Sequence, residues 1–248
     1  MASSTVILGD CVEVMKGFDD NQFDLAIVDP PYGIGESRGK NNNRGSYRVS
    51  KYSGTKNTTG ACIPSTQFKA KDWDDKPITS EYFYALTRCT KNQIIWGANY
   101  YEFIGQIYKT PRRKVLHKWL VDHPIGWIVW DKDNGDTDFN DYELAWTSFD
   151  NPTKVFKYTW NGMLQGDMKN KEKRIHPTQK PVKLYEWLLK NYAEIGHKIL
   201  DTHLGSGSSR IASDKAGLDF TGIEIDKEYF DLSENRFKQY KSQLRIEF

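Results

Sequence analysis

Asp29-Pro30-Pro31-Tyr32 follow directly on the apolar run Phe23–Val28 and bring together side chains that could hold a reacting amine. Neither proline carries an N–H, so this corner offers acceptors, the Asp29 carboxylate and the Pro30 carbonyl, beside the ring of Tyr32. An exocyclic amino group on a planar base has two hydrogens to donate and a π face to stack. A carboxylate beside it would also stabilise the positive charge that grows as its nitrogen reacts. The plainer reading of the same residues is a strand-ending turn with an incidental tyrosine, since Asp and Pro are ordinary turn residues. A second constellation lies in the C-terminal half, where Asp201-Thr202-His203-Leu204-Gly205-Ser206-Gly207 ends a short apolar run and Glu224 follows nearly twenty residues after the first glycine. Strand, glycine turn and helix make a cradle for a small ligand, and an acid at the end of the next strand can accept from both ribose hydroxyls. The third glycine of a dinucleotide loop is replaced by Arg210, which disfavours a pyrophosphate and suits a nucleoside with an amino-acid tail.

Strands must deliver both constellations. Each proline pushes the residue before it into extended geometry, so the 29–32 tip is not helical, and Phe23–Val28 has the length and branching of a core strand. Residues 5–8 form a shorter β-branched strand that stops at Gly9-Asp10-Cys11, after which Val12, Met15 and Phe18 recur at helical spacing. Asp10 there either caps the helix or meets a ligand at the carboxyl edge of a sheet. Further on, the pattern predicts a helix from residue 79 with Ser80 as cap, then strands at 93–96 and 126–130. A hairpin partner follows at 142–149, and an alternating strand at 155–160. HPTQKP at 176–181 opens a helix with Pro181 in its first turn and Leu184, Trp187, Leu188 and Tyr192 on one face. A strand at 199–201, a helix at 211–215 and a strand at 220–225 complete an alternation that predicts an α/β fold.

The chain of 248 residues is long enough for a full core and reads as one domain, 1–248. With 35 Lys and Arg against 33 Asp and Glu, the balance names no partner, but the distribution does. Residues 37–71 carry Arg38, Lys40, Arg44, Arg48, Lys51, Lys56, Lys69 and Lys71 and no acid, with Tyr47, Tyr52 and Phe68 among them. A loop of this length, about 33–75, is more than a connection, and cations interleaved with aromatics suit nucleic acid better than plain solvation. Residues 109–118 and 169–174 are further basic stretches, and about 150–175 is a short candidate for DNA recognition. Cys11, Cys62 and Cys89 form no C-x-x-C pair, which argues against a disulfide framework and a zinc site and for a reducing cytoplasm. The N-terminus lacks a signal pattern and no apolar run is long enough to span a bilayer.

With these motifs in place, the chain resembles, over nearly its whole length, the S-adenosylmethionine-dependent DNA amino-methyltransferases of β-type order. In that order the catalytic motif precedes the cofactor motif. Asp29–Tyr32 is similar to the catalytic motif, HPTQKP and DTHLGSG to the cofactor-binding pair, GIEID at 222–226 to the segment with the ribose acid, and Gly9-Asp10-Cys11 to the turn that meets the cofactor's adenine. His203 stands where the family has phenylalanine. The resemblance implies a circularly permuted, Rossmann-like seven-stranded sheet with helices on both faces. It implies catalysis by Asp29, Pro30, Pro31 and Tyr32, and a cofactor, S-adenosylmethionine, held by Asp10, Cys11, Asp29, Thr178, Lys180, Asp201, His203, Gly205, Ser206, Gly207, Glu224 and Ile225. Arg38, Lys40, Arg44, Arg48 and Lys51 are the expected DNA contacts, no metal is expected, and a homodimer is an option beside DNA as partner. Base flipping follows, because a target nitrogen cannot be reached inside a duplex, with Tyr32 stacking on the extruded base. An acid at position 29 resembles the adenine-modifying members; serine is commoner in the cytosine-N4 ones. Cytosine-N4 transfer, RNA or protein-amide methylation and a catalytically silent DNA-binding homologue are the alternatives.

Overall fold

The computed structural model describes residues 2–34, 37, 68–75, 78–101, 126–133, 140–160 and 164–243. At its centre β2 (Phe23–Val28) pairs in parallel with β3 (Thr90–Trp96) on one side and with β7 (Lys198–Asp201) on the other. β8 (Asp219–Glu224) and then β1 (Ser4–Leu8) extend the parallel sheet beyond β7. On the far side of β3, β5 (Tyr142–Thr147) runs antiparallel, followed by β4 (Trp127–Asp131) and β6 (Lys154–Lys157). The order is β1-β8-β7-β2-β3-β5-β4-β6, so the sheet has eight strands where seven were expected. The extra strand is β6, which pairs in parallel with β4 and packs Phe156 on Trp187 at 5.4 Å.

A strand buried on both faces reads as a continuous apolar run, and β2 shows why. Leu25 and Ile27 point into one core and Ala26 and Val28 into the other. The first core takes Leu184 and Leu188 from α3 (Val182–Tyr192) and Ile211 from α4 (Ser208–Lys215). The second takes Met15 from α1 (Cys11–Lys16) and Tyr82, Phe83 and Leu86 from α2 (Ser80–Cys89). Leu86 is fully buried, so its truncation to alanine would cost about 2–5 kcal/mol. Helices cover both faces, as the resemblance implied.

The helix α5 (Lys227–Gln243) had no sequence forecast, because only Tyr229 and Ser233 of its residues are buried and no broad apolar stripe announces it. Phe237 and Tyr240 pack on the first core only partly buried, and polar anchors complete its hold. Asp226 accepts from the amides of Glu228 and Tyr229, and Arg236 pairs with Glu172 at 2.6 Å. The same arginine donates to the Ser206 carbonyl at 2.8 Å, so α5 braces the glycine turn from behind. Among the described residues no helix is long and apolar enough to cross a membrane.

Candidate active site

The parallel strands end along one edge of the sheet, and four of their ends carry residues of the site. β1 ends at the Gly9–Asp10 turn, β8 at Glu224, β7 at the glycine turn and β2 at Asp29. A cavity of about 250 Å³ lies between these ends. Its walls include Asp10, Cys11, Asp29 and Pro31 from the first half of the chain. Thr178, Lys180, His203, Gly205, Ser206, Glu224 and Ile225 come from the second half. Two candidate groups, so far apart in sequence, therefore meet in one hollow.

Four of the expected catalytic and cofactor residues, Asp201, Gly207, Pro30 and Tyr32, stand outside these walls. Asp201 is 2% exposed and turned away from the cavity, accepting from the His203 amide at 3.1 Å and from the Ser209 hydroxyl. It shapes the glycine turn, and burial pushes its carboxyl up to about 7. Gly207 caps α4 at φ +72°, a left-handed position that suits glycine, and it too is absent from the walls. Pro30 turns its carbonyl to the Tyr101 hydroxyl, which donates to it at 2.7 Å, so one of the two lone pairs expected to face an amine is taken.

The cofactor side of the cavity is polar where a nucleoside would need it. Glu224 accepts from the Gly205 amide at 2.7 Å with one oxygen and from the Asp226 amide at 2.9 Å with the other, which fixes the carboxylate while each oxygen keeps a lone pair. Burial pushes its pKa up, and these backbone donors oppose the shift. Asp10 caps α1, accepting from Val12 at 2.8 Å and Glu13 at 3.1 Å, and it also lines the cavity. Cys11 lies 3.8 Å from the His203 ring, and burial pushes its thiol up to about 12, which leaves it neutral. His203 is likewise held neutral by burial, at about 4.

The segment 68–75, at the end of the basic loop, closes one side of the cavity. Trp73 packs on His176 at 5.3 Å, and His176 on Tyr229 at 4.3 Å; all three line the wall and none was in the expected site set. Lys71 pairs with Asp226 at 2.5 Å and Glu228 at 3.2 Å, and the Gly33 amide donates to Asp74 at 2.9 Å. Arg38, Lys40, Arg44, Arg48 and Lys51 lie outside the described residues, as does the stretch 109–118.

At the tip of β2 Asp29 accepts from the Tyr32 hydroxyl at 2.6 Å and from the Lys180 ammonium at 2.6 Å. Lys180 therefore lines the cavity and places its charge on Asp29. The same ammonium lies 2.9 Å from Glu143, which Lys132 holds on its other oxygen. Burial pushes the Asp29 carboxyl up and Lys180 pulls it back. The Tyr32 ring already has an aromatic partner, Tyr100, stacked at 5.1 Å and 12°. Behind it stands Gly97 at φ +65°, where an added Cβ would come within 2.1 Å of the ring. Glu143, Lys132, Tyr100, Tyr101 and Gly97 escaped sequence reasoning because no local motif marks them.

Comparison with known proteins gives this arrangement a family. The chain matches the DNA methylase family N6_N4_Mtase over residues 23–235. It is 26% identical to the type II methyltransferase M2.MboI of Moraxella bovis, over 97% of this chain and 89% of that protein. It is 24% identical to the type II methyltransferase M.HpaI of Haemophilus parainfluenzae, over 93% and 73%. In fold it is similar to M1.HpyAVI, solved as a complex with SAM, at a TM-score of 0.50 and 18% identity over 94% of this chain and 98% of that one. It is also similar to the cytosine-N4-specific PvuII DNA methyltransferase, at 0.52 and 11% over 95% and 87%. A carboxylate at a strand tip, opening onto a cavity with a braced glycine turn and a buried glutamate, is thus the site of a chain that belongs to the N6/N4 DNA methylase family.

Proposed function

We propose that this DNA methyltransferase modifies the exocyclic N6 amino group of adenine, flipped out of the DNA and held at Asp29. The methyl donor of such enzymes is S-adenosylmethionine, and the cavity suits it. Glu224 offers free lone pairs to ribose hydroxyls, Gly205 approaches without a side chain, and neutral His203 and Cys11 add no charge beside an adenine. Bound there, the cofactor supplies an electrophilic methyl group. The observation that carries the reading is that Asp29 belongs to both the tip and the cavity wall, so an amine on its carboxylate lies next to the donor.

Asp29 would accept an amine N–H and balance the positive charge that forms on nitrogen as the methyl group leaves sulfur for nitrogen, after which the surplus proton passes to water. Orientation of the two reactants contributes roughly 7–11 kcal/mol. Lys180 and Tyr32 hold the carboxylate in one orientation from its two oxygens. The basic segment 37–71, rooted beside the tip through Gly33 and Asp74, is the proposed DNA grip. Fold alone does not choose between bases, since a cytosine-N4 enzyme shares it; the acid at position 29 favours adenine. The type II methyltransferases among the relatives favour a place in restriction–modification. Asp29→Ala should abolish methyl transfer while calorimetry still detects binding of S-adenosylhomocysteine. A variant that methylates within a few-fold of the parent would remove Asp29 from the chemistry.

A further inference from the structure

We infer that Glu143 is a positioning residue for the catalytic carboxylate, dividing the Lys180 ammonium so that Asp29 is anchored without being neutralised. This rests on the methyltransferase reading and adds a requirement that the cavity and the motifs do not contain.

The geometry is specific. Lys180 is buried, its side chain 4% exposed, and it meets two carboxylates, Asp29 at 2.6 Å and Glu143 at 2.9 Å. Lys132, just past the end of β4, holds the other oxygen of Glu143. The result is an alternating row, Asp29, Lys180, Glu143, Lys132, assembled from four parts of the chain. Only the antiparallel direction of β5 makes it reach the tip. Because β5 runs against its neighbours, its first residues lie at the edge where the parallel strands end, beside the end of β4. A buried ion pair adds little stability over an apolar pair of the same volume, so a row of four ending on the catalytic acid is poorly explained as scaffolding.

Its chemistry is better explained. Nitrogen becomes positive during transfer, and the acid facing it must then be negative. A buried lysine with no other partner would give all its field to Asp29 and oppose that charge. Glu143 takes a share of the ammonium and adds negative charge behind it. The other ionisable groups facing Asp29 are Tyr32 on its own turn, Tyr101 after β3, Asp201 at the end of β7 and Tyr185 on α3. Glu143 raises the Asp29 pKa and Lys180 lowers it. Removing the Glu143 charge therefore lowers the pH at which Asp29 ionises, and removing Lys132 strengthens Glu143 and moves that pH upward.

The test measures kcat and KM against pH with DNA and S-adenosylmethionine for the parent, Glu143→Gln, Glu143→Asp and Lys132→Gln. The expected result for Glu143→Gln is a plateau kcat at least tenfold lower, an acid limb displaced to lower pH and a cofactor KM within twofold of the parent. Glu143→Asp should return the limb toward the parent, and Lys132→Gln should displace it the other way. Unmoved limbs in every folded variant, or parental turnover in Glu143→Gln, would overturn the inference while leaving methyl transfer intact. If Glu143→Gln does not fold, the direction of the Lys132→Gln shift decides alone. A parent that transfers no methyl to DNA would defeat the functional reading, and this inference with it.

Discussion

Gly97→Ala places a single methyl group against the catalytic corner. Gly97 sits at φ +65°, and a Cβ built there lies 2.1 Å from Cε1 of Tyr32 and 2.5 Å from Cδ1 and Cζ. Three consecutive ring carbons at those distances put the new carbon over the face of the ring rather than at its edge. Carbon atoms rest about 3.5–4.0 Å apart, so the ring must retreat by roughly 1.5 Å, which carries its hydroxyl out of the 2.6 Å bond to Asp29. The left-handed backbone costs about 1–2 kcal/mol once a Cβ is present, and the lost charge-assisted hydrogen bond about 1.5–3 kcal/mol. At about 2–4 °C per kcal/mol for a domain of this size, the melting temperature should fall by roughly 5–20 °C. Turnover should fall about 10- to 150-fold, by the same 1.5–3 kcal/mol taken from the barrier. Gly97 is not in the cavity wall, so S-adenosylhomocysteine affinity should stay at the parent value. A thermal melt, steady-state kinetics and calorimetry on one preparation supply all three readouts. A variant with the parent's melting temperature and turnover would show that Tyr32 does not hold Asp29 from this position.

Glu224→Gln keeps the shape of the side chain and one acceptor for the Gly205 amide, and removes the charge offered to ribose hydroxyls. Losing about 1.5–3 kcal/mol of charge-assisted bonding should weaken S-adenosylhomocysteine by about 10- to 150-fold, and an unchanged affinity in calorimetry would move the ribose elsewhere. Asp201 has its folded pKa raised to about 7 by burial, so its contribution to stability is complete below its ordinary range and is lost as pH rises through 7. That span amounts to roughly 4 kcal/mol. Asp201→Asn imitates the protonated acid, so its denaturation free energy should stay flatter than the parent's between pH 4 and 7; parallel pH profiles would refute the burial argument.

The sequence told most about groups placed by their own strand. Phe23–Val28 forms β2 with the expected ends, Asp29 and Glu224 stand where a strand stops, and Gly205 stands in the turn that follows β7. Local chemistry fixes such positions, since two prolines exclude helix and two left-handed glycines demand a turn. Asp201 shows the limit of that logic. It stands in the expected turn, yet its carboxylate accepts from Ser209 and is absent from the cavity wall, because a buried acid is drawn to the nearest donors. Glu143 and Lys132 were illegible for another reason. They reach the tip only through the pairing of β5 with β3 and β4, and no local pattern encodes which strands will become neighbours. α5 went unforecast because its apolar face is narrow and only partly buried, and Arg236 and Asp226 add polar anchors to it.

The most direct test of the central claim is the chemical identity of the methylated nucleoside. The purified chain is incubated with duplex DNA and S-adenosylmethionine carrying a deuterated methyl group, the DNA is digested, and the nucleosides are separated and weighed by mass spectrometry. The account predicts label in N6-methyldeoxyadenosine, and none when Asp29→Ala replaces the parent. Label in N4-methyldeoxycytidine would contradict the choice of base, and DNA without label would contradict methyl transfer at Asp29 itself.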